Sequence, residues 1–123
     1  MEAPVRIENR AQLIYLLTEA AELEHGIMCC YLFSAFSMKR SVEEGITEEH
    51  LKVVSRWRGT ILQIAIEEMV HMSLACNLLT AVGGAPHIRR PNLPTNPKAY
   101  PPTFRLELVP FCRESLDSFV FLA

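Results

Sequence analysis

ILQIAIEEMVHMSLACNLL, residues 61–79, is the stretch of sequence that decides how this chain folds. Around it, between Gly59 and Ile88, the only formally charged residues are Glu67 and Glu68. Alternating steps of three and four residues give one mainly apolar stripe, the pattern of a helix face that points into a bundle. The stripe consists of Val54, Trp57, Ile61, Ile64, Glu68, His71, Ala75, Leu78 and Val82.

Glu68 and His71 occupy positions in this stripe where leucine would be expected. Burying a carboxylate costs several kcal/mol unless a cation or a strong hydrogen-bond donor compensates for it. The Glu-x-x-His spacing also directs one oxygen and one nitrogen ligand from a helix toward a single point. The pattern therefore predicts a functional site, and a metal site in particular, in the middle of the most apolar helix.

The limits of this helix are marked by strong local signals, which predict a helix over about 48–82. Thr47 can cap it, and Glu48 and Glu49 lie in the first turn, where the helix dipole favours anions. Gly83-Gly84 with Pro86 just beyond forms a stop signal, because glycine accepts a left-handed cap and proline cannot continue a helix.

A second long helix is predicted upstream, over about 10–40, with Asn9 and Gln12 forming a capping box at its start. Its stripe is again interrupted by a single carboxylate, at Glu24. The members of this stripe are Leu13, Leu17, Ala20, Glu24, Ile27, Tyr31, Ser34 and Met38. A short polar connection follows, so we expect the two helices to form an antiparallel hairpin.

The hairpin brings Glu24 level with Glu68 only if the two helices are offset. Pairing the end of the first helix with the start of the second leaves these carboxylates about six residues apart, or about 9 Å of axial rise. The gap closes if the first turns of the second helix extend beyond the end of the first, which the polar opening Glu48-Glu49-His50 permits.

The C-terminal third is predicted to be extended rather than helical. Residues 86–110 hold seven of the eight prolines and cannot form regular helix. Within them, residues 104–109 alternate apolar and polar side chains, which favours one strand along the bundle. A short helix is expected over about 112–123. It ends on an apolar run, from which we expect either a truncated polypeptide or a subunit that covers this end.

Composition bounds the class of protein: 123 residues allow one domain, here taken as residues 1–123. The net charge of −2 and the pI near 6.1 offer no basic surface for nucleic acid. We find no signal peptide, and the uncharged stretch over residues 26–38 is too short to cross a membrane. The four cysteines lack metal-site or disulfide-scaffold spacing, so a cytoplasmic location is expected.

Three motifs together resemble a known family. They are Leu-Glu24-His followed by Tyr31-Leu, then Ile-Glu-Glu68-Met-Val-His71-Met, then Gly83-Gly-Ala-Pro. This combination is similar to the ferritin-like domain of the family that includes the violacein-pathway iminophenylpyruvate dimer synthase, over about residues 13–91. The resemblance implies an all-α fold: a long helical hairpin that is half of a ferritin-like four-helix bundle.

The resemblance also implies a carboxylate-bridged di-iron centre and an oxidative enzyme of the iminophenylpyruvate dimer synthase-like type. Glu24 would be a terminal carboxylate ligand, Glu68 a bridging ligand and His71 the imidazole ligand. Ligands of this kind suit iron, or manganese, better than a metal that prefers thiolates. A full bundle needs a second helix pair, which this chain does not show after Val82. A homodimer or missing downstream helices would supply it.

Several alternatives stay open from the sequence. The three polar residues could instead form a metal-free cluster in which a charged His71 bridges two carboxylates, within a structural or oligomerisation module. Glu67 could be an outer partner of the site, and Tyr31 a hydrogen-bond donor near it or simply part of the core. Cys29-Cys30 could be redox-active or inert. The small-molecule substrate is unknown, as is whether this chain itself binds metal.

Overall fold

The computed structural model describes residues 4–122, and within them the predicted all-α class is confirmed. Helix α1 spans Arg10–Ser37, a short 3-10 helix spans Val42–Glu44, helix α2 spans Glu48–Ala81 and helix α3 spans Arg113–Leu122. Helices α1 and α2 pack side by side as a hairpin. None of the described helices combines the length and the hydropathy needed to cross a membrane.

The capping chemistry explains where the helices begin. The Asn9 side chain accepts a hydrogen bond from the Gln12 backbone, while the Gln12 side chain accepts one from the Glu8 backbone. Thr47 caps α2 by accepting from the His50 backbone. Each contact satisfies a backbone amide that the first turn of a helix leaves without a partner.

The helix ends differ slightly from the limits drawn from sequence. Helix α1 ends at Ser37, three residues before the predicted end, because a Ser41–Glu44 capping box forms a separate 3-10 turn there. Helix α2 ends at Ala81, and Gly83 takes a left-handed φ of 80° just beyond it. The Gly84 amide then donates to the Leu79 carbonyl, which closes the last turn.

Two contacts fix the offset between the helices of the hairpin. At the open end, the Arg10 guanidinium donates to the Val82 carbonyl. At the connected end, Arg58, well inside α2, donates to the Lys39 carbonyl just past α1. The first turns of α2 therefore project beyond α1. Arg10 lies as many residues before Glu24 as Val82 lies after Glu68, so the two carboxylates are level.

The buried face of α2 is rotated by about one residue from the stripe drawn from sequence. Trp57 and Leu78, which that stripe placed inside, are about half exposed, at 49% and 53%. The buried residues of α2 are Ile61 and Ala75, which belong to the predicted stripe, and Ala65 and Leu79, which each lie one residue beyond a stripe position. The predicted stripe thus pointed between helix α1 and the open side of the hairpin rather than straight at α1.

The segment between α2 and α3 wraps along α1 without forming a strand among the described residues. The predicted strand over 104–109 is replaced by a single antiparallel bridge between Thr95 and Leu106, with two backbone hydrogen bonds. Gly26 lets this segment approach closely, since a Cβ there would lie 2.9 Å from Pro91 and 3.0 Å from Leu106. Leu106 joins the core with Ile27, Tyr31 and, from α3, Phe119.

Candidate metal centre

The structure brings Glu24, Glu68 and His71 together, although they come from two helices. Each offers one ligand atom, and the three atoms lie within 4.8 Å of one another. The Nδ1 atom of His71 is 3.2 Å from a Glu68 oxygen and 3.6 Å from a Glu24 oxygen. Among the residues the structure describes, no other three His, Cys, Asp or Glu side chains converge in this way.

These side chains lie at the edge of the helix–helix interface rather than at its centre. The Glu68 and Glu24 side chains are 16% and 26% exposed, whereas that of His71 is 53% exposed. The carboxylates are thus held between the helices, and the imidazole closes the cluster on its open side. This edge is where the centre of a larger bundle would lie if a second helix pair packed against the hairpin.

The electrostatics of the cluster are governed by the burial of two carboxyl groups close to each other, which disfavours the ionisation of both. Burial, and then the neighbouring Glu68, raise the pKa of Glu24 from 4.5 to about 7, and His71 only partly opposes this. The pKa of His71 is also raised, first by its hydrogen bond to Glu68, although its own desolvation acts against the rise. A cation between the acids would relieve their repulsion.

The residues present fit a metal ion. One Glu24 oxygen is buried and has no hydrogen-bond partner among the described residues, so it can accept a further interaction. Two carboxylates with one imidazole form a hard, oxygen-rich donor set, which suits iron or manganese. The set supplies three ligands, and Glu67, the neighbour of Glu68, is exposed and outside the cluster.

Two tyrosines lie in the field of the carboxylates. Tyr31 is only 3% exposed and packs on Phe119 with ring centroids 4.4 Å apart. Its pKa is raised to about 12, chiefly by burial and then by the charge of Glu68. The pKa of Tyr100 is raised by burial and by the charges of Glu24 and Glu68. Tyr100 was not predicted as a neighbour of the cluster, because nothing in a Pro-rich segment indicates which helix it contacts.

The remaining histidines and cysteines lie outside the cluster. His87 pairs with Glu22 at 3.0 Å and ties the Pro-rich segment to α1, a role that the sequence did not signal. All four cysteines are free thiols. Burial raises the pKa of Cys29, and that of Cys30 to about 12, so both resist forming the reactive thiolate.

Comparison with known proteins adds an independent observation. A family model described as Ferritin-like matches residues 17–122. The 2-imino-3-(indol-3-yl)propanoate dimerase of Chromobacterium violaceum is 35% identical in an alignment of 96 residues; this match covers 65% of this chain and 10% of that protein. The dichlorochromopyrrolate synthase of Lentzea aerocolonigenes is 31% identical in an alignment of 98 residues, and the match covers 67% of this chain and again 10% of the relative.

The chain therefore spans about a tenth of the length of the curated relatives it matches. No solved structure gives a significant match.

Proposed function

This chain belongs to the ferritin-like family, and from that premise we propose that Glu24, Glu68 and His71 are the metal ligands of a carboxylate-bridged di-iron centre in an oxidative enzyme. The two relatives are named as a dimerase and a synthase. We propose chemistry of the same broad kind here, on a small organic substrate, at a site of which this chain supplies half. Manganese is the second candidate for the metal.

The observation that carries this proposal is the convergence of three ligand-type side chains within 4.8 Å, one with a buried oxygen that finds no hydrogen-bond partner within residues 4–122. A purely structural cluster needs no such open acceptor. In the metal-free alternative, His71 would hold the two carboxylates together, helped by a hydrogen bond between a protonated Glu24 and Glu68. His71 is 53% exposed, and its 3.6 Å separation from Glu24 is too long for a hydrogen bond, so the imidazole satisfies that acid only in part.

Each residue would have a separate task. Glu68, the less exposed acid, would bind between two ions, Glu24 would bind at one side, and His71 would provide the nitrogen ligand. Bound iron would supply the redox chemistry with oxygen or peroxide. Tyr31 is buried against Phe119 and lies close enough to Glu68 for that charge to raise its pKa, so its ring would help to keep water from that side of the cluster.

A second set of ligands must come from another helix pair, and we propose that a second copy of the chain provides it across a two-fold axis. Part of the surface of α2 supports this, because it is apolar and exposed on the side where His71 emerges. We call it the open face of α2; it consists of Ile66, Val70, Leu74 and Leu78. Further helices of a longer polypeptide are the alternative source. We also propose a cytoplasmic location, since the spacing of the four cysteines is that of neither a disulfide scaffold nor a thiolate metal site.

The proposal is tested by metal content after anaerobic loading with Fe(II), followed by desalting and elemental analysis. We expect about one iron per chain, the share of one protomer in a di-iron site built by two. Glu24→Gln and Glu68→Gln should each lose most of this iron, because an amide is a much weaker ligand than a carboxylate.

Glu67→Gln is the matched control, since it removes the same charge one residue away from the cluster and should retain iron. Circular dichroism would establish that every variant is folded. A folded wild-type chain that keeps no iron or manganese would refute the metal proposal and leave the structural module as the explanation.

A further inference from the structure

The Pro-rich segment contains a loop, residues 96–105, whose two ends meet. Thr95 and Leu106, which flank it, form the antiparallel bridge, and their two backbone hydrogen bonds measure 2.9 and 2.8 Å. Inside the loop, the side-chain amide of Asn96 donates to two backbone carbonyls on the opposite arm, at 3.3 and 2.7 Å. Three of its ten residues are prolines, each with a fixed φ. The loop is therefore braced from within and should move as one stiff unit.

A large cleft lies between this loop and α1. Its volume is about 1130 Å³, so much of the inner surface of the loop does not pack against the helix. Leu16, Ala20 and Leu23 line the cleft from α1, and Pro97 and Tyr100 line it from the loop. The loop therefore has space beneath it in which to move.

The base of the loop is held firmly by the core. Leu106 is 2% exposed and lies against Gly26 of α1. The Phe104 ring stacks on Phe121 of α3, with centroids 5.0 Å apart, and Tyr100 is a looser neighbour of the same ring at 6.1 Å. Movement of the loop should therefore pivot at this base and change the width of the cleft at its mouth.

At the mouth of the cleft, one side chain joins the loop to α1. The Lys98 ammonium donates to the Tyr15 hydroxyl at 3.0 Å and lies 5.8 Å from the centre of the Tyr15 ring. Within residues 4–122 this is the only hydrogen bond from the loop to α1. Both side chains are exposed, and cation–π contacts and hydrogen bonds that compete with water contribute little. Such a contact can break and form again readily.

The inner end of the cleft adjoins the candidate metal centre. Ala20, which lines the cleft, lies one helical turn before Glu24 on α1. The pKa of Tyr100 is raised by burial and then by the charges of Glu24 and Glu68, so its hydroxyl lies near both acids. Because Tyr100 packs on Phe104 of the same loop, with ring centroids 4.9 Å apart, it would move with the loop. The position of the loop thus determines how openly the cleft leads to the cluster.

We propose that residues 96–105 form a lid that opens and closes the cleft by pivoting at its base, with the contact between Lys98 and Tyr15 as its latch. A stiff loop, a fixed base, an unfilled space beneath and one exposed latch are the features that a rigid lid requires. As a gate to the metal centre the lid rests on the proposed function, but as a moving unit it does not.

The test is NMR relaxation dispersion of the backbone amides in the metal-free protein, which detects motion on the microsecond-to-millisecond timescale. We expect the non-proline amides of the lid to share one exchange rate, because a rigid lid moves as one body. Amides at the centres of α1 and α2 should show no such exchange. The proposal is overturned if the lid amides show no exchange, or if each has a rate of its own.

Two variants test the parts of the lid. Lys98→Met keeps the apolar stem but removes the ammonium, and should raise the population of the open lid by about threefold or more. Lys52→Met, the same change at an exposed position on α2, is the matched control and should leave the exchange unchanged. Asn96→Ala removes the internal brace, so the lid amides should lose their shared rate. If Lys98→Met behaved like Lys52→Met, the latch would be refuted.

Iron removal connects the lid with the proposed function. After loading with Fe(II), the uncharged chelator bipyridyl should remove iron about threefold faster from Lys98→Met than from the wild type or Lys52→Met. All three should retain the same amount of iron before the chelator is added, because neither lysine belongs to the cluster. Equal removal rates would refute the lid as a gate to the cluster. A wild type that retains no iron would refute the proposed function, while the relaxation measurement would still decide the lid.

Discussion

Glu24 is the residue at which sequence pattern and structural chemistry agree best. It is one carboxylate in an otherwise apolar helix stripe, and the structure places it beside the other two predicted residues, with one buried oxygen that has no hydrogen-bond partner in the described part of the chain. The choice between Glu67 and Glu68 also followed from the stripe, and the structure leaves Glu67 exposed. The face of a helix on which a side chain lies follows from its spacing along the sequence, so the sequence could identify which side chains converge. That these side chains bind metal stays a prediction.

Glu24 should make the stability of the metal-free protein depend on pH. Its pKa is about 7 in the folded chain, above the value of 4.5 expected when unfolded, so the folded state binds the proton more tightly. The resulting stabilisation is fully present below about pH 4.5 and is lost as the pH rises through about 7. The raised pKa of His71 acts in the same direction. We expect the urea midpoint of the wild type to fall between about pH 5 and pH 8.

Glu24→Gln is the control for this titration, because glutamine keeps the shape and cannot ionise. Its urea midpoint should fall less over the same range. Saturating Fe(II) should reverse the trend in the wild type, since metal binds the deprotonated ligands. A wild-type midpoint that rises from pH 5 to pH 8 in the absence of metal would contradict the assignment.

Helix α2 shows why a one-residue error in a stripe matters. Trp57 and Leu78 were placed inside with Glu68 and His71, whereas Ala65 and Leu79 face α1 instead. In a complete bundle a helix has one neighbour beside it and another across the centre, and its apolar arc covers both. The sequence stripe ran along the middle of this arc. The stripe alone could not distinguish the side of α2 that packs against α1 from the side that would pack against a further helix.

Gly26 controls how closely the Pro-rich segment approaches α1. A Cβ at this position would overlap the Pro91 and Leu106 side chains, so we expect Gly26→Ala to lower the free energy of unfolding by about 1 kcal/mol or more despite its better helix propensity. Gly59→Ala is the matched control, because a Cβ there meets nothing within 4 Å. It should raise stability by about 0.5–1 kcal/mol.

Chemical denaturation followed by circular dichroism would measure both glycine variants. If Gly26→Ala stabilised the protein as much as Gly59→Ala, the segment would not pack where the structure places it.

The Pro-rich segment marks the limit of what local pattern can predict. Its prolines correctly excluded regular helix, yet the alternation over 104–109 predicted a strand where the structure has one bridge. A strand needs a partner for its backbone groups, and the described chain offers only Thr95. The contacts of Tyr100 and the His87–Glu22 pair join residues far apart in sequence. Such pairings depend on the path of the whole chain.

As a whole, the described chain is a hairpin with one covered side and one open side. The Pro-rich segment and α3 cover α1, while the open face of α2 exposes four large apolar side chains beside His71. Exposed apolar area of this kind marks a contact surface. The all-α class and the hairpin were predicted from sequence, but the helix pair that would complete the bundle cannot be derived from this chain alone.

Leu74, in the centre of the open face, should therefore matter for assembly. We expect the wild type to be a dimer by light scattering coupled to size exclusion, and Leu74→Lys to be a monomer, because a buried lysine would lose its hydration without a partner. Phe36→Lys makes the same kind of change at an exposed aromatic on α1 and should remain dimeric. A monomeric wild type would instead favour further helices of the same polypeptide as the missing half.

The hydrogen bond from Arg10 to the Val82 carbonyl has a consequence for local opening. Helix hairpins usually fray from the end that lacks a connection, each helix separately. Here the first residue of α1 donates a hydrogen bond to the C-cap residue of α2, 72 positions away, so opening of either end breaks a contact that both share. Amide protons in those two turns should therefore exchange with solvent at similar rates. The level at which Glu24 faces Glu68 lies between this contact at the open end and the Arg58–Lys39 contact at the connected end.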